Sequence, residues 1–149
     1  MTRLLAVLTI LYGQVVFAQA DDAGIRLTVN NLFEGMKKAD TALIRSAFTA
    51  EPIFQTVLQS KDGKTRVETE ILDSFLISIA QPHSQVYDER IVFETVKSDG
   101  QLAIVWAPYK FYLGDKFSHC GTDSFQLVKL NGIWKILYLV DTRRREGCN

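Results

Sequence analysis

Apolar residues recur at helical spacing in the first half of the chain and at alternating positions in its last third. Between residues 22 and 38 they fall on one side of a predicted helix, at Ile25, Val29, Leu32, Phe33 and Met36. Asp40 is suited to cap a second, short helix. A third helix is predicted over residues 68–80, with Pro82 as its stop signal.

The predicted strands cover residues 52–60, 65–67 and 90–96 and three segments between residues 101 and 145. Two turns separate the last three strands. Asn131-Gly132 suits a type I′ turn, which needs positive φ at both central residues, and Gly114-Asp115 suits a type II′ turn, with glycine first. The order of helices and strands predicts an α+β fold, a curved and mostly antiparallel sheet with helices on one face.

The residues that flank the two turns also set a predicted register for the last three strands. Leu130 then faces Ile133, and Asp123 faces Val140. Because strand side chains alternate, this register assigns each apolar residue to a face. The face expected to be concave carries Leu102, Ile104, Trp106, Phe125, Leu127, Trp134, Ile136, Tyr138 and Val140. The outer face is expected to carry Val105, Ala107, Tyr109, Phe111, Val128, Leu137 and Leu139.

The motifs of this strand unit resemble a known superfamily. They are the Asn-Gly turn followed by Trp134-Lys135-Ile136, the segments 106–109 and 117–121, and the ending at 141–144. Together with the element order, they are similar to the nuclear transport factor 2-like superfamily, which includes SnoaL-like and ketosteroid-isomerase-like domains. The small secreted bacterial lumazine-binding-like members are the most similar. The resemblance covers residues 22–146 and is specific for fold rather than activity.

That resemblance implies a cone-shaped sheet wrapped around a long N-terminal helix, with two further helices and a pocket open at one end. It also implies frequent homodimers through the outer sheet face. The apolar outer set given above supports a dimer independently, because large apolar patches mark interfaces. The alternative is that loops or the C-terminal tail cover this face.

Residues 1–20 are interpreted as a signal peptide. Arg3 is its only charged residue, an apolar run extends from Leu4 to Phe17, and Ala18-Gln19-Ala20 supplies an A-x-A cleavage site. The run is short for a membrane span. Residues 21–149 are therefore expected to form a single secreted or periplasmic domain without membrane attachment after cleavage; an uncleaved anchor is the alternative.

Charge and motif content exclude several functions. The chain contains 17 Lys and Arg against 17 Asp and Glu, and a neutral chain without a long basic run argues against nucleic-acid binding. It has no P-loop, dinucleotide-binding glycine pattern or serine elbow. No cofactor is therefore expected.

Asp123 is the first candidate for chemistry, since the predicted register places it among aromatic residues on the concave face. A desolvated carboxylate has a raised pKa unless it is paired, and a raised carboxyl can act as a general base. Tyr138 would then be a candidate hydrogen-bond donor to a developing oxyanion. The alternative is a structural role, in which Asp123 pairs with Lys110 or Arg144 or bonds Trp106 or a backbone amide.

His119 is the second candidate, either as a base or as a polar residue of the pocket. Only His83 could join it, so a metal site is not expected. Neighbouring strand residues point to opposite faces, which argues against a nucleophilic pair of His119 with Cys120. The remaining predicted pocket residues are Trp106, Tyr138, Phe125, Lys110, Arg144, Thr142, Phe33 and Met36.

Cys120 and Cys148 are the only cysteines. In an exported protein they could form an intrachain disulfide, an intermolecular bridge or free thiols, and the sequence leaves these alternatives open.

Three functions follow from these observations. The first is an exported domain that binds an unidentified small molecule in an apolar pocket with a polar rim. The second is an isomerase or hydrolase that uses Asp123 or His119 as general base. The third is a dimeric structural or interaction module whose pocket is filled by its own side chains.

Overall fold

The computed structural model describes residues 21–60 and 62–148; the predicted signal peptide, residues 1–20, lies outside the described residues. Helix α1 covers residues 21–38, α2 covers Thr41–Ala47 and α3 covers Leu72–Ala80. Asp40 caps α2, since its Oδ1 accepts a hydrogen bond from the Leu43 amide at 2.9 Å. Helix α3 begins later than predicted because residues 68–70 belong to a strand.

Within the described residues, seven strands form one sheet. They are β1 (Phe48–Gln59), β2 (Thr65–Glu70), β3 (Tyr87–Ile91), β4 (Thr95–Asp99), β5 (Leu102–Leu113), β6 (Lys116–Leu130) and β7 (Ile133–Arg144). The order is β2-β1-β7-β6-β5-β3, and β4 also pairs with β5. All pairs are antiparallel except β1 with β7. The predicted α+β class is confirmed.

One strand was predicted over residues 90–96. The structure instead has two strands there, β3 and β4, separated by residues 92–94. Both pair with β5, but the register shifts between them: Ile91 lies opposite Tyr109, whereas Thr95 lies opposite Trp106. Pro108 lies at this break and has no amide proton to donate. Its carbonyl still accepts from the Val92 amide at 2.9 Å. The irregularity therefore follows from a missing donor.

Both predicted turns are present. Asn131 and Gly132 have φ values of 51° and 81°, as a type I′ turn requires. Gly114 has a φ of 59°, while Asp115 has no positive φ, which suits type II′. The residues that flank each turn face one another, so the predicted register is correct close to the turns.

Farther from the turns the predicted register is wrong, because each hairpin contains a β-bulge. Ser118 is an extra residue in β6, between the pairs Tyr112–Phe117 and Phe111–His119. A second bulge, at residue 137 of β7, separates the pairs formed by residues 136 and 138. A one-residue shift exchanges the faces of a strand.

The bulges invert most of β5 and the second half of β7 relative to prediction. Residues expected on the outer face, among them Val105, Ala107, Tyr109 and Leu139, are buried, with exposures of 0–4 %. Residues expected on the concave face, namely Leu102, Ile104 and Trp106, are 45–49 % exposed on the outer face. Phe125, Leu127, Trp134 and Ile136 are buried on the concave face as predicted.

Helix α1 packs across the concave face. Its residues Ile25, Val29 and Leu32 are at most 1 % exposed, and Phe33 meets Phe125 edge to face at 6.2 Å between ring centroids. Thr28 ties the helix to the sheet by donating a hydrogen bond to the Trp134 carbonyl at 3.1 Å. In the described part of the chain, no helix combines the length and apolarity needed to cross a bilayer.

Candidate functional site

Three carboxyl groups meet beneath α1 at the polar end of the concave face. The β7 bulge places Asp123 directly opposite Asp141, instead of opposite Val140 as predicted. These two aspartates are 3 % and 5 % exposed. Glu89 of β3 completes the group, since its carboxyl is hydrogen-bonded to that of Asp123. Such a bond between two carboxyls requires a proton on one of them.

Asp141 is held by a tyrosine and an arginine. Its Oδ2 accepts from the Tyr109 hydroxyl at 3.2 Å and from Arg143 Nε at 2.9 Å. The Arg143 side chain also donates to Thr56 Oγ1 at 3.3 Å. Charge-assisted bonds of this kind are stronger than neutral ones, so they fix the Asp141 carboxylate in one orientation.

Tyr109 reaches β7 because Gly121 leaves room for its ring. A Cβ at residue 121 would lie 2.6 Å from Tyr109 Cε1 and would clash with the Thr142 carbonyl oxygen. The Tyr109 hydroxyl lies 3.0 Å from that same carbonyl oxygen, which it contacts in addition to Asp141. Glycine is therefore the residue that permits this close approach.

The environment shifts the ionisation of the carboxyl pair strongly. Burial raises the pKa of Glu89 from its ordinary value of 4.5 to about 7. Burial, followed by the negative charges of Glu89 and Asp141, raises the pKa of Asp123 well above its usual range. Within the pair, Asp123 is therefore the carboxyl that donates the proton and Glu89 the one that accepts it, and the pKa of Glu89 is near neutrality.

The cluster contains buried acceptor atoms without a partner in the part of the chain that the structure describes. Among the described residues, Asp123 Oδ2 and Asp141 Oδ1 have no hydrogen-bond partner. Asp123 can use its oxygen as the donor of the proton that it shares with Glu89. Asp141 Oδ1 is then the acceptor that still needs a donor. An unsatisfied buried acceptor costs roughly 1–3 kcal/mol, so a water molecule or a ligand is expected there.

We name the space beside these groups the acidic cavity. Its volume is about 50 Å³, enough for a few water molecules and far below the usual size of a small-molecule pocket. It is lined by Leu32, Phe33, Met36, Phe54, Phe75, Glu89, Asp123, Leu139, Asp141 and Arg143.

A larger space adjoins it on the other side of Arg143. We name it the arginine cleft; its volume is about 420 Å³. Its lining is Thr56, Leu58, Glu68, Thr69, Glu70, Ile71, Ser74 and Arg143. Arg143 thus borders both spaces, and burial raises the pKa of Glu70 at the cleft. A ligand in the cleft would reach the acidic cavity past the Arg143 side chain.

Of the predicted pocket residues, Phe33, Met36 and Asp123 line the acidic cavity, and Phe125 lies behind Phe33. The others do not line it. Tyr138 donates to Gln55 Oε1 at 2.7 Å on the outer side of the sheet. Trp106, Thr142, Lys110 and Arg144 also lie on the outer side. The predicted pairing of Asp123 with Lys110 or Arg144, and its bond to Trp106, are therefore excluded by the two bulges.

His119 is stacked rather than placed among the carboxyls. Its ring lies 4.9 Å from that of Phe111 and 5.8 Å from that of Tyr109, between centroids. Ser118 Oγ lies 3.1 Å from its Nδ1. Burial, followed by the positive charge of Arg143, lowers the pKa of His119. With a pKa below its ordinary value of 6.5, His119 is mostly neutral at neutral pH. It does not line the acidic cavity.

Sequence reasoning missed Glu89, Tyr109, Asp141 and Arg143. Alternation within β7 does place Asp141 and Arg143 on one face, and alternation within β3 groups Glu89 with Ile91. Without knowledge of the bulges, the sequence does not show that these residues lie on the same face as Asp123. In residues 21–60 and 62–148, no group of His, Cys, Asp or Glu is arranged to hold a metal ion.

Cys120 and Cys148 form a disulfide, with 5.8 Å between their Cα atoms. Among the alternatives that the sequence left open, the structure therefore contains the intrachain bridge. The bridge attaches the C-terminal tail to the outer face of β6.

Comparison with protein families identifies one match, to the family described as "Putative lumazine-binding", over residues 20–140. Comparison with curated proteins gives no match. Among solved structures, a nuclear transport factor 2-like protein of unknown function from Shewanella baltica is 18 % identical, with a TM-score of 0.66 over 85 % of this chain and 96 % of that one.

Two further structures of proteins of unknown function have the same fold. The one from Silicibacter pomeroyi is 15 % identical, with a TM-score of 0.66 over 85 % of this chain and 98 % of that one. The one from Methylobacillus flagellatus is 19 % identical, with a TM-score of 0.60 over 84 % and 93 %. At these identities the likeness shows the nuclear transport factor 2-like fold alone.

Proposed function

This chain belongs to the "Putative lumazine-binding" family, and from that premise we propose that it is a small-molecule-binding domain whose ligand occupies the arginine cleft and donates a hydrogen bond into the acidic cavity. The proposal rests on one observation: Asp141 Oδ1 is a buried carboxylate oxygen that accepts no hydrogen bond from the described residues. A ligand N–H or O–H group would satisfy it.

The charge and size of the two spaces define the chemistry of the ligand. The acidic cavity combines three carboxyls with one guanidinium, so it favours a group that donates protons over one that carries negative charge. The cavity of about 50 Å³ admits only the tip of a ligand, whereas the cleft of about 420 Å³ accommodates an organic molecule. Lumazine, a flat heterocycle with N–H donors beside carbonyl groups, has this chemistry.

The test is calorimetric titration of the protein with lumazine. In Asp141→Asn the amide oxygen is expected to face Tyr109 and Arg143, so that the NH₂ group faces the ligand donor. Two opposed donors repel, and we expect the affinity to fall roughly tenfold or more, in line with the loss of a charge-assisted hydrogen bond. Arg143→Gln should weaken binding similarly.

Glu94→Gln is the matched control, because Glu94 is an exposed carboxylate outside both spaces. It should bind lumazine as the wild type does. Equal affinity in Asp141→Asn, Arg143→Gln and the wild type would contradict the proposal. Absence of lumazine binding to the wild type, with the acidic cavity retained, would favour a module whose interior is filled by its own side chains.

A second candidate is an acid–base enzyme, and the carboxyl pair favours it. Glu89 has a pKa of about 7, which is suited to a general base at neutral pH. In this arrangement Asp123 is its proton-holding partner rather than the base that the sequence suggested. The test is deuterium uptake from D₂O by 2-cyclohexenone, a probe of proton abstraction beside a carbonyl. Glu89→Gln should abolish catalysed uptake, and uptake no faster than in buffer would reject this function.

We also propose that the protein is exported. The A-x-A site after residue 17 and the Cys120–Cys148 disulfide support this, because structural disulfides persist in oxidising compartments. Intact-mass measurement of protein from its own host should give a chain that begins at Asp21 and lacks two thiol hydrogens. A full-length chain with reduced cysteines would contradict export.

We further propose a homodimer through the outer sheet face, with a corrected set of contacts. Leu102, Ile104 and Trp106 are each nearly half exposed there, and exposed apolar groups of this kind mark interfaces. Trp106→Glu should convert the dimer to a monomer in light scattering coupled to size exclusion. A wild-type monomer at the same concentration would exclude the dimer.

A further inference from the structure

The outer face contains a third space, on the opposite side of the sheet from the acidic cavity. We name it the outer cleft; its volume is about 380 Å³, within the range of small-molecule sites. Its lining includes Arg90, Lys110, Arg144, Tyr112, Pro108 and Cys120. No Asp or Glu of the described residues belongs to this lining, whereas three carboxyl groups line the acidic cavity.

Four residues of the outer cleft lie in a straight row across four strands. Arg90 pairs with Lys110, Lys110 with Cys120, and Cys120 with Arg144. Neighbouring strands are about 4.8 Å apart, so Arg90 and Lys110 start on adjacent strands of one face, and Arg144 starts on the same face two strands beyond Lys110. Like charges directly opposite one another destabilise a sheet, and Arg90 opposite Lys110 is such a pair. An anion between them would offset that repulsion.

The cations are only partly neutralised by the protein. Arg90 bonds Asp88 at 2.8 Å, but Asp88 also pairs with Lys37 at 3.0 Å. Lys110 and Arg144 have no ion-pair partner among the described residues. The outer cleft therefore keeps an excess of positive charge.

The outer cleft also has an apolar part. Arg90 is stacked over Tyr112, with 4.1 Å from the guanidinium carbon to the ring centroid, and this contact holds the guanidinium in place. Pro108 and Val92 contribute apolar surface beside it. A ligand with a charged group and an apolar body would contact both parts.

The disulfide closes one side of the outer cleft. Cys120 lies in the centre of the cationic row, and its bond to Cys148 brings the tail back over β6. Gly147, with a φ of 65°, lines the cleft at this reversal. The wall thus depends on the oxidised state of the two cysteines.

From this geometry we propose that the outer cleft is a binding site for small organic anions, compounds that carry a phosphate or carboxylate on an apolar or aromatic body. The row Arg90, Lys110 and Arg144 binds the anionic group, and Tyr112 and Pro108 contact the body. The site is separate from the acidic cavity, whose charge excludes anions, and it does not depend on the function proposed for that cavity.

The test is titration with phenyl phosphate at low ionic strength, followed by amide chemical shifts. We expect saturable binding with shifts in β3, β5 and the tail, and affinity at least tenfold higher than for phenol, which lacks the charge. Inorganic phosphate, which lacks the body, should also bind more weakly. Lys110→Gln and Arg144→Gln should each weaken binding roughly tenfold, as expected for loss of a charge-assisted hydrogen bond.

Lys97→Gln is the control, because Lys97 is an exposed lysine of β4 outside the outer cleft; its affinity should equal that of the wild type. Cys148→Ser, checked for native fold by circular dichroism, should lose affinity because the wall is released. Wild-type affinity in both Lys110→Gln and Arg144→Gln, or shifts confined to the acidic cavity, would overturn the proposal. Equal binding of phenol and phenyl phosphate would also overturn it.

Discussion

Replacing Glu89 with glutamine should make the protein more stable above neutral pH. The wild-type carboxyl lies in a buried environment that raises its pKa from 4.5 to about 7. Its charged form is therefore disfavoured in the folded state and not in the unfolded state. Glutamine has nearly the same shape, carries no charge, and its amide oxygen can still accept the hydrogen bond from Asp123.

The sign and size follow from proton linkage. Between pH 4.5 and 7 the folded state binds more protons at Glu89 than the unfolded state does, so the free energy of unfolding falls as pH rises. Each pKa unit corresponds to about 1.4 kcal/mol, and the difference between 4.5 and about 7 corresponds to about 3 kcal/mol. Stability from this group is complete below pH 4.5 and lost above about pH 7.

Two neighbouring groups contribute to the measured slope. Burial also raises the pKa of Asp123, so Asp123, like Glu89, lowers the free energy of unfolding as pH rises. His119 has the opposite effect. Because burial lowers its pKa, its contribution to the free energy of unfolding decreases as pH falls. His119 is present in both proteins, so its contribution largely cancels in the difference between variant and wild type.

The assay is urea unfolding at pH 5, 6, 7 and 8 for the wild type, Glu89→Gln and the exposed control Glu94→Gln. Relative to the wild type, Glu89→Gln should gain on the order of 3 kcal/mol between pH 5 and 8, while Glu94→Gln should follow the wild-type curve. Parallel curves for Glu89→Gln and the wild type would refute the raised pKa of Glu89, and with it the proton-sharing pair.

Three substitutions test other contacts by the same unfolding measurement. Gly121→Ala should destabilise the protein by roughly 1–3 kcal/mol or more, because the new methyl group would clash with the Thr142 carbonyl and the Tyr109 ring; wild-type stability would contradict the close approach. Tyr109→Phe should cost roughly 1–3 kcal/mol, since Asp141 loses a donor, and an unchanged value would remove that bond from the site. Cys148→Ser opens a bridge across 28 residues and should cost roughly 3 kcal/mol, which reduction of the wild type should reproduce.

The sequence predicted the elements and the turns well because both depend on local signals. Asn131-Gly132 and Gly114-Asp115 determine backbone angles within a few residues, and the structure has those angles and flanking pairs. The helical spacing of α1 likewise needs only its own residues. Fold class could therefore be read without knowledge of long-range contacts.

The site could not be read in the same way, because the bulges at residues 118 and 137 leave no clear sequence signal. Ser118 and Leu137 are ordinary strand residues, and a bulge is defined by the pairing of two strands rather than by one residue type. The predicted strand pairs were correct between each turn and the nearest bulge and shifted by one residue beyond it, so Trp106 and Tyr138 were assigned to a pocket that they do not line.

The β7 bulge also explains why the site is chemically unusual. Without it Asp123 would face Val140, an arrangement that leaves one buried carboxyl; with it Asp123 faces Asp141. Directly opposed like charges are unfavourable in a sheet. The structure offsets this repulsion with Arg143, Tyr109 and the proton shared with Glu89. One acceptor of Asp141 still has no partner within residues 21–60 and 62–148. Stability alone would be better served by an apolar pair here, so the arrangement is consistent with the binding role proposed for these carboxyls.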